Sequence, residues 1–277
     1  MAACIARAQH ELTLYDSAPE RARQVATECA CRVADGFDGL ADSDFVVTML
    51  PTGRIVNDLY VREGLARTLQ PGTIAIDMSS SDPVGTRELG AALASSGITL
   101  IDAPVSGGVP RAVQGTLTIM IGGDDPAAIE RARPLLRAMG DRLFDTGGLG
   151  SGHAMKALNN FVAAASFAAC AEALLTGQRF GLDPTRMVEI LNVSTGRNFH
   201  TDLVLREHVI GGKFATGFQL GLLAKDVRIA ADLAHDLGLD APLVQLVSQR
   251  FETARDALGY ARDHSEAIKA WDKNSFV

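Results

Sequence analysis

The sequence predicts an α/β domain with a mostly parallel sheet, followed by a domain made only of helices. In the first half, short apolar runs alternate with helical patterns of about 10–15 residues, which indicates β-α-β units. In the second half helix follows helix, and no strand pattern is convincing. A glycine-rich stretch at 147–152 separates the halves and suits a turn. We therefore predict domains at 1–149 and 150–277.

The composition is that of an ordinary soluble protein. Of 277 residues, 47% are hydrophobic and 21% are charged, which is usual for globular domains. The net charge of −7 argues against nucleic acid or an anionic membrane as a partner. The four cysteines show neither a paired framework nor metal-ligand spacing, so we expect a reduced, cytoplasmic environment and no metal. No signal-peptide pattern opens the chain, and the most apolar run, 161–171, is far shorter than the roughly 20 residues of a membrane span.

The individual elements follow from apolar periodicity and from turn residues. A strand at 11–15 precedes a helix that reaches about Cys29, with Ser17 as its N-cap and Glu20 as the capping-box partner. Further strands are predicted at 44–50, 73–78, 99–101, 117–121 and 142–145. Further helices are predicted at 55–60, 84–95, 126–139, 154–179, 183–193, 201–209, 224–238, 241–258 and 264–271.

Polar and glycine residues follow several of the predicted strands. They are Asp16, Pro51, the serines at 79–81 and the segment at 106–108. Parallel strands end at the same edge of a sheet, and ligands bind beyond that edge in open α/β sheets. We therefore expect these residues to line one functional edge.

Lys156 and Asn160 lie four residues apart in the helix that follows the glycine-rich stretch. Side chains with this spacing share one helix face, so the pair is a candidate for handling a substrate. From spacing alone, a solvated surface lysine is the commoner interpretation. His153, three residues before Lys156, could share the site as a base, but we interpret it as a packing or hinge residue.

The amino end lacks a part that the rest of the pattern predicts. Asp16 ends the first predicted strand, where a dinucleotide-binding fold places an acid on the ribose hydroxyls. The glycine-rich phosphate loop should lie about 20 residues earlier, but no G-x-G-x-x-G occurs near the amino end, and 1–8 resembles the remainder of a helix. We expect that the first strand and its glycine loop are missing and that the natural chain begins upstream. A protein that begins at Met1 should bind cofactor weakly and be poorly stable.

Five motifs in order resemble the β-hydroxyacid dehydrogenases, the group of 3-hydroxyisobutyrate dehydrogenase and tartronate semialdehyde reductase. The similarity extends over essentially the whole chain and implies a Rossmann-type sheet domain followed by an all-α domain. The motifs are Met49-Leu50-Pro51, Asp77-Met78-Ser79-Ser80, Asp102-Ala103-Pro104-Val105-Ser106-Gly107-Gly108, Gly150-x-Gly152-x-x-x-Lys156-x-x-Asn159-Asn160 and Leu223-Ala224-Lys225-Asp226.

The resemblance implies an enzyme that moves a hydride between NAD(P) and a small β-hydroxy acid. Lys156 matches the family's general acid/base, and Asn160 matches a substrate-binding amide. Ser106, Gly107 and Gly108 match the loop that holds the substrate carboxylate. The family also implies a homodimer or homotetramer. The candidate substrates are 3-hydroxyisobutyrate, glycerate or tartronate semialdehyde, and four-carbon sugar acids.

The cofactor implied by the resemblance is NAD, with NADP as the alternative. Asp16 favours NAD because its charge repels a 2′-phosphate, whereas Arg21 and Arg23 lie close by in sequence and keep NADP possible. The residues that match the family's cofactor contacts are Met49, Leu50, Pro51, Ser80 and Lys225. Ser80 stands where the family usually has threonine and keeps the hydroxyl.

Other interpretations remain open at this point. One is a truncated, non-catalytic member of the scaffold that acts through ligand binding or assembly. Another is a related imine reductase, which Lys156 argues against because imine reduction does not call for a lysine and amide pair. The segment at 106–108 is alternatively a plain turn. Arg197 and Asn198 are candidates for shaping substrate choice, or simply part of a loop that ends a helix.

Overall fold

Eight strands lie among residues 1–272, which are the residues that this computed structural model describes. All of them belong to the first of two units into which the chain divides, Met1–Lys156 and Ala157–Val277. In chain order they are β1 (Thr13–Leu14), β2 (Arg32–Val33), β3 (Phe45–Thr48), β4 (Ile74–Asp77), β5 (Thr99–Asp102), β6 (Val105–Ser106), β7 (Leu117–Gly122) and β8 (Gly140–Gly147).

Six strands form one sheet in the order β3-β4-β5-β7-β6, with β8 paired to β7. The pairs β3–β4, β4–β5 and β7–β8 are parallel, as the sequence predicts for most of the sheet. The exception is β7, which runs antiparallel to both β5 and β6. Only residues 107–116 join β6 to β7, a shorter connection than the dozen or so residues of a parallel crossover.

The strands β1 and β2 pair in parallel as a separate two-stranded sheet. In a doubly wound sheet of order 3-2-1-4-5-6, the first strand joins such an outer pair to the rest. Among residues 1–272, no strand pairs with both β1 and β3. Within the described residues β3 is therefore an edge strand of the larger sheet.

The α-helices of the first unit are α1 (Ala2–Arg7), α2 (Pro19–Cys29), α3 (Gly53–Asn57), α4 (Leu65–Thr68), α5 (Pro83–Ala94), α6 (Gly108–Gln114) and α7 (Pro126–Met139). Helices lie on both faces of the larger sheet. Cys4, Leu136 and Met139 pack with Ile76 on one face, whereas the other face belongs to a cluster that includes Leu93. Every residue of β4 is buried, as expected for a central strand covered on both sides.

Aspartates begin two of these helices, and a proline follows each of them. Asp82 accepts backbone N–H bonds at the start of α5, and Asp125 does so at the start of α7. The predicted helix at 126–139 is confirmed by α7, and the one at 84–95 by α5. The predicted capping box of α2 is wrong: its N-cap is Ala18, which has no capping side chain. Instead, Asp16 Oδ1 accepts from Ala18 N at 2.8 Å, an Asx turn that competes with the serine.

The second unit is helical, as predicted. Its helices are α8 (Ser151–Phe180), which begins in the first unit, α9 (Pro184–Asn192), α10 (Phe199–Leu203), α11 (Leu220–Asp236), α12 (Pro242–Leu258) and α13 (Ala267–Trp271). Phe167 and Phe251 are fully buried in the core of this unit. By length and composition alone α8 could cross a membrane, but 44% of its most apolar window is buried, a property that core helices share.

Two histidines are buried in the second unit, and we expect them to make it acid-sensitive. Burial, with a smaller effect from His264, lowers the pKa of His200 from 6.5 to about 4. Between these values the unfolded chain binds more protons than the folded one, so stability falls as the pH drops. From pH 7 to pH 5 the loss is about 2 kcal/mol. Denaturant unfolding of the wild type and His200→Gln at both pH values checks this, and an equal pH dependence in the two proteins would contradict it.

Candidate active site

Two buried carboxylates end neighbouring strands at one edge of the larger sheet. Asp77 of β4 and Asp102 of β5 are in register with each other, and both are buried. Asp102 accepts backbone N–H bonds from Gly150 and His153, each at 2.8 Å. These two groups open α8, where the first N–H groups have no partner within the helix. Asp102 therefore caps the helix that carries Lys156.

The glycines of the 150–160 motif are explained by this cap. A Cβ on Gly152 would overlap Met120 O and lie 2.8 Å from Asp102 Oδ2. Gly150 has a φ of +87°, and a Cβ there would lie 2.7 Å from Pro83 O. A side chain at Gly152 would push the start of α8 away from β5 and β7, and one at Gly150 would push it away from α5, so both close approaches require glycine.

Asp77 organises the loops that follow β3 and β4. Its Oδ1 accepts from Thr48 Oγ1 and from Ser79 N, both at 3.0 Å, and its Oδ2 accepts from Ser81 Oγ at 2.7 Å. Ser79 Oγ in turn accepts from Leu50 N at 2.9 Å. The two segments that resemble cofactor contacts are therefore held by one carboxylate.

The residues predicted to hold a dinucleotide lie where β1, β3 and β4 end. Asp16 follows β1 and is exposed, and its Oδ2 makes no hydrogen bond within residues 1–272, so it can accept from ribose hydroxyls. Met49 is 54% exposed, which is high for an apolar residue directly after a strand. Pro51 is exposed and Ser80 is half-buried. This exposed apolar and hydroxyl-bearing edge fits a nicotinamide dinucleotide, although the chain has no G-x-G-x-x-G ahead of Asp16.

The predicted carboxylate loop joins β6 to α6. Ser106 ends β6, and Gly107 is the N-cap of α6. Gly107 has a φ of +138° and Gly108 has a φ of +66°, conformations that side chains disfavour. A Cβ on Gly107 would also lie 2.8 Å from Arg111 Cβ. The bend therefore leaves backbone N–H groups accessible beside the half-buried Ser106.

Lys156 is half-buried on α8, and Asn160 is buried one turn later on the same helix. Asn160 Nδ2 donates to Asp226 Oδ2 at 2.6 Å, and Lys225 Nζ lies 3.0 Å from Asp226 Oδ1. Asp226 thus holds two predicted site residues within the second unit. Sequence analysis assigned no role to Asp226, although its place beside Lys225 in a matched motif was a usable signal.

Three other candidates have structural partners. His153 is buried and its ring lies near both Asp77 and Asp102. Asn198 caps α10 and forms a capping box with Thr201. Arg197 Nε pairs with Asp202 Oδ2 at 3.0 Å. The loop with Arg197 and Asn198 is therefore built to begin a helix.

A site at the carboxyl ends of the strands, in a sheet domain followed by a helical domain, is typical of one class, the nicotinamide-dependent oxidoreductases. Residues 1–148 match the NAD-binding domain of 6-phosphogluconate dehydrogenase. Residues 150–271 match the family model described as NAD-binding of NADP-dependent 3-hydroxyisobutyrate dehydrogenase. The chain belongs to the β-hydroxyacid dehydrogenase family and is an NAD(P)-dependent enzyme.

Individual relatives agree with this assignment. The chain is 36% identical to 2-(hydroxymethyl)glutarate dehydrogenase of Eubacterium barkeri, over 86% of this chain and 79% of that protein. It is 32% identical to NAD-dependent L-serine dehydrogenase of Pseudomonas aeruginosa, over 98% of this chain and 93% of that protein. The solved structure of Mycobacterium tuberculosis 3-hydroxyisobutyrate dehydrogenase with L-serine has a TM-score of 0.88 at 30% identity, covering 98% of this chain and 94% of that one.

Proposed function

We propose that this chain transfers a hydride between NAD and a small β-hydroxy acid, with Lys156 as the general acid/base. The observation that carries the proposal is the half-buried Lys156 on a helix capped by Asp102, which itself begins the matched carboxylate motif. We assign 1–149 to dinucleotide binding and 150–277 to substrate binding and assembly into a homodimer or homotetramer.

The chemistry assigned to the chain is proton transfer and orientation. The bound nicotinamide supplies the hydride acceptor or donor. Lys156 Nζ takes the hydroxyl proton during oxidation and returns it during reduction, the role of a general acid/base. Ser106 and the backbone N–H groups of the bend at 107–108 bind the substrate carboxylate. Asn160, held by Asp226, binds the substrate or orients the lysine.

The relatives suggest the shape of the substrate. Their named compounds, 3-hydroxyisobutyrate, L-serine and 2-(hydroxymethyl)glutarate, each carry a primary alcohol on the carbon β to a carboxylate. We propose that the substrate of this chain has the same arrangement. A panel of short hydroxy acids, followed by NADH absorbance, tests this: turnover only of β-hydroxy acids is expected, and turnover of none of them would contradict the proposal.

Cofactor choice tests the role of Asp16. We expect kcat/KM to be higher with NAD than with NADP, because the carboxylate accepts from ribose hydroxyls and repels a 2′-phosphate. Asp16→Asn removes the charge and should reduce the preference by about tenfold, equivalent to about 1.4 kcal/mol. The control is Asp38→Asn, an exposed aspartate of the same unit. An unchanged NAD to NADP ratio in Asp16→Asn would exclude this role.

The break between β1 and β3 favours one second candidate, a member of the scaffold that binds ligand or assembles without turnover. A fluorescence titration with NADH separates the two candidates: saturable binding supports the dehydrogenase, and the absence of binding supports the second candidate.

A further inference from the structure

A buried histidine lies between the two carboxylates at the start of α8. The side chain of His153 is 0% exposed. Its Nε2 lies 3.6 Å from Asp77 Oδ2, and its Nδ1 lies 3.8 Å from Asp102 Oδ2. Burying a polar ring costs free energy unless partners compensate. The position of this ring is therefore specified by its polar neighbours as well as by packing.

The hydrogen bonds of Thr86 determine which way the ring faces. Thr86 Oγ1 donates its one proton to Asp82 O at 2.8 Å. It therefore accepts from His153 Nδ1, which lies 2.8 Å away. The opposite nitrogen, Nε2, makes no hydrogen bond within residues 1–272 and faces Asp77.

The contact between His153 and Asp77 links two parts of the proposed site. Asp77 binds Ser79 N, and Ser79 Oγ binds Leu50 N, so the carboxylate holds both segments assigned to the cofactor. His153 lies in the first turn of α8, three residues before Lys156. A shift of the imidazole relative to Asp77 therefore moves the lysine relative to those segments.

We propose that His153 is a positioning residue: through Asp77 and Thr86 it fixes the first turn of α8, and with it Lys156, against the cofactor-binding segments. The inference rests on the proposed function, because it needs Lys156 to exchange a proton beside the nicotinamide. A misplacement of about 1 Å from an indirect change can cost about 100-fold in rate. Because the carboxylate-binding bend at 106–108 does not lie on α8 and stays in place, the loss should fall mainly on kcat and largely spare KM.

Steady-state kinetics of His153→Leu, Thr86→Val and Thr86→Ser test the proposal. The rates are expressed per NADH-binding site, counted by fluorescence titration, so that unfolded protein does not contribute. We expect kcat of His153→Leu and Thr86→Val to fall at least tenfold, with KM for the hydroxy acid and for NAD within threefold of wild type. Thr86→Ser keeps the hydroxyl and should restore most of kcat. The matched control is His235→Leu, an exposed histidine of α11, which should keep wild-type kinetics.

The outcomes separate this inference from the proposed function. A wild type that is active and a Lys156→Met variant that is inactive support the proposed function. If kcat of His153→Leu and Thr86→Val then stays within threefold of wild type, the positioning role of His153 is overturned and the proposed function stands. If His153→Leu does not fold, the Thr86 pair decides: equal kcat in Thr86→Val and Thr86→Ser overturns the inference. An inactive wild type overturns the proposed function and this inference with it.

Discussion

Replacing Lys156 with methionine is expected to lower kcat by at least about 100-fold, the usual scale for losing a general acid/base. Methionine keeps much of the unbranched side chain and removes the amine, so α8 should retain its packing. Because Lys156 is assigned to proton transfer, the Kd for NADH should stay close to that of the wild type. Steady-state assays with a β-hydroxy acid measure kcat, and titration with NADH measures the Kd.

The control for this variant is Lys213→Met. Lys213 is an exposed lysine whose ammonium pairs with Glu207, and a surface ion pair of this kind contributes little. The kcat of Lys213→Met should therefore equal that of the wild type. Near-normal turnover in Lys156→Met would remove Lys156 from the mechanism, and a loss of NADH binding in that variant would assign the lysine to cofactor binding instead.

Asp102→Ala is expected to produce the largest loss of stability, about 3 kcal/mol in the free energy of unfolding. The change leaves the buried N–H groups of Gly150 and His153 without their acceptor, and each unsatisfied buried donor costs roughly 1–3 kcal/mol. Denaturant unfolding followed by circular dichroism measures the difference from the wild type.

Asp125→Ala provides the comparison for that measurement. Asp125 also accepts two backbone N–H bonds, from Ala127 and Ala128, at the start of α7, but it is exposed. Loss of an exposed N-cap costs about 1 kcal/mol, because water replaces the lost acceptor. Equal losses in the two variants would show that burial of the Asp102 cap has no energetic weight.

Local signals were sufficient for the long elements of the fold. The helix at 126–139 was predicted with its observed bounds because Pro126 marks its start and an apolar stripe continues to Met139. The strands β2 and β6 were not predicted, because a segment of two residues is too short to show a periodic pattern. Ser17 was wrongly predicted as a cap because Asp16, its neighbour, makes the competing turn.

The candidate site was predictable to the level of motifs. Spacing and resemblance pointed to Lys156, Asn160 and the 106–108 bend, and their roles stay predictions. The contacts that orient them were not predictable, because they join distant positions. Asp102 and Gly150 are 48 residues apart, and Asn160 and Asp226 are 66 apart. Nothing local in the sequence indicates such pairs.

The cap at the start of α8 also has an evolutionary consequence. Gly152 leaves room for the carboxylate of Asp102, which lies at the end of β5. A descendant that loses Asp102 no longer needs that room, and a descendant that gains a side chain at Gly152 can no longer admit the aspartate. Positions 102 and 152 should therefore covary among homologues. Two motifs that lie far apart in the gene are then under one shared selective constraint.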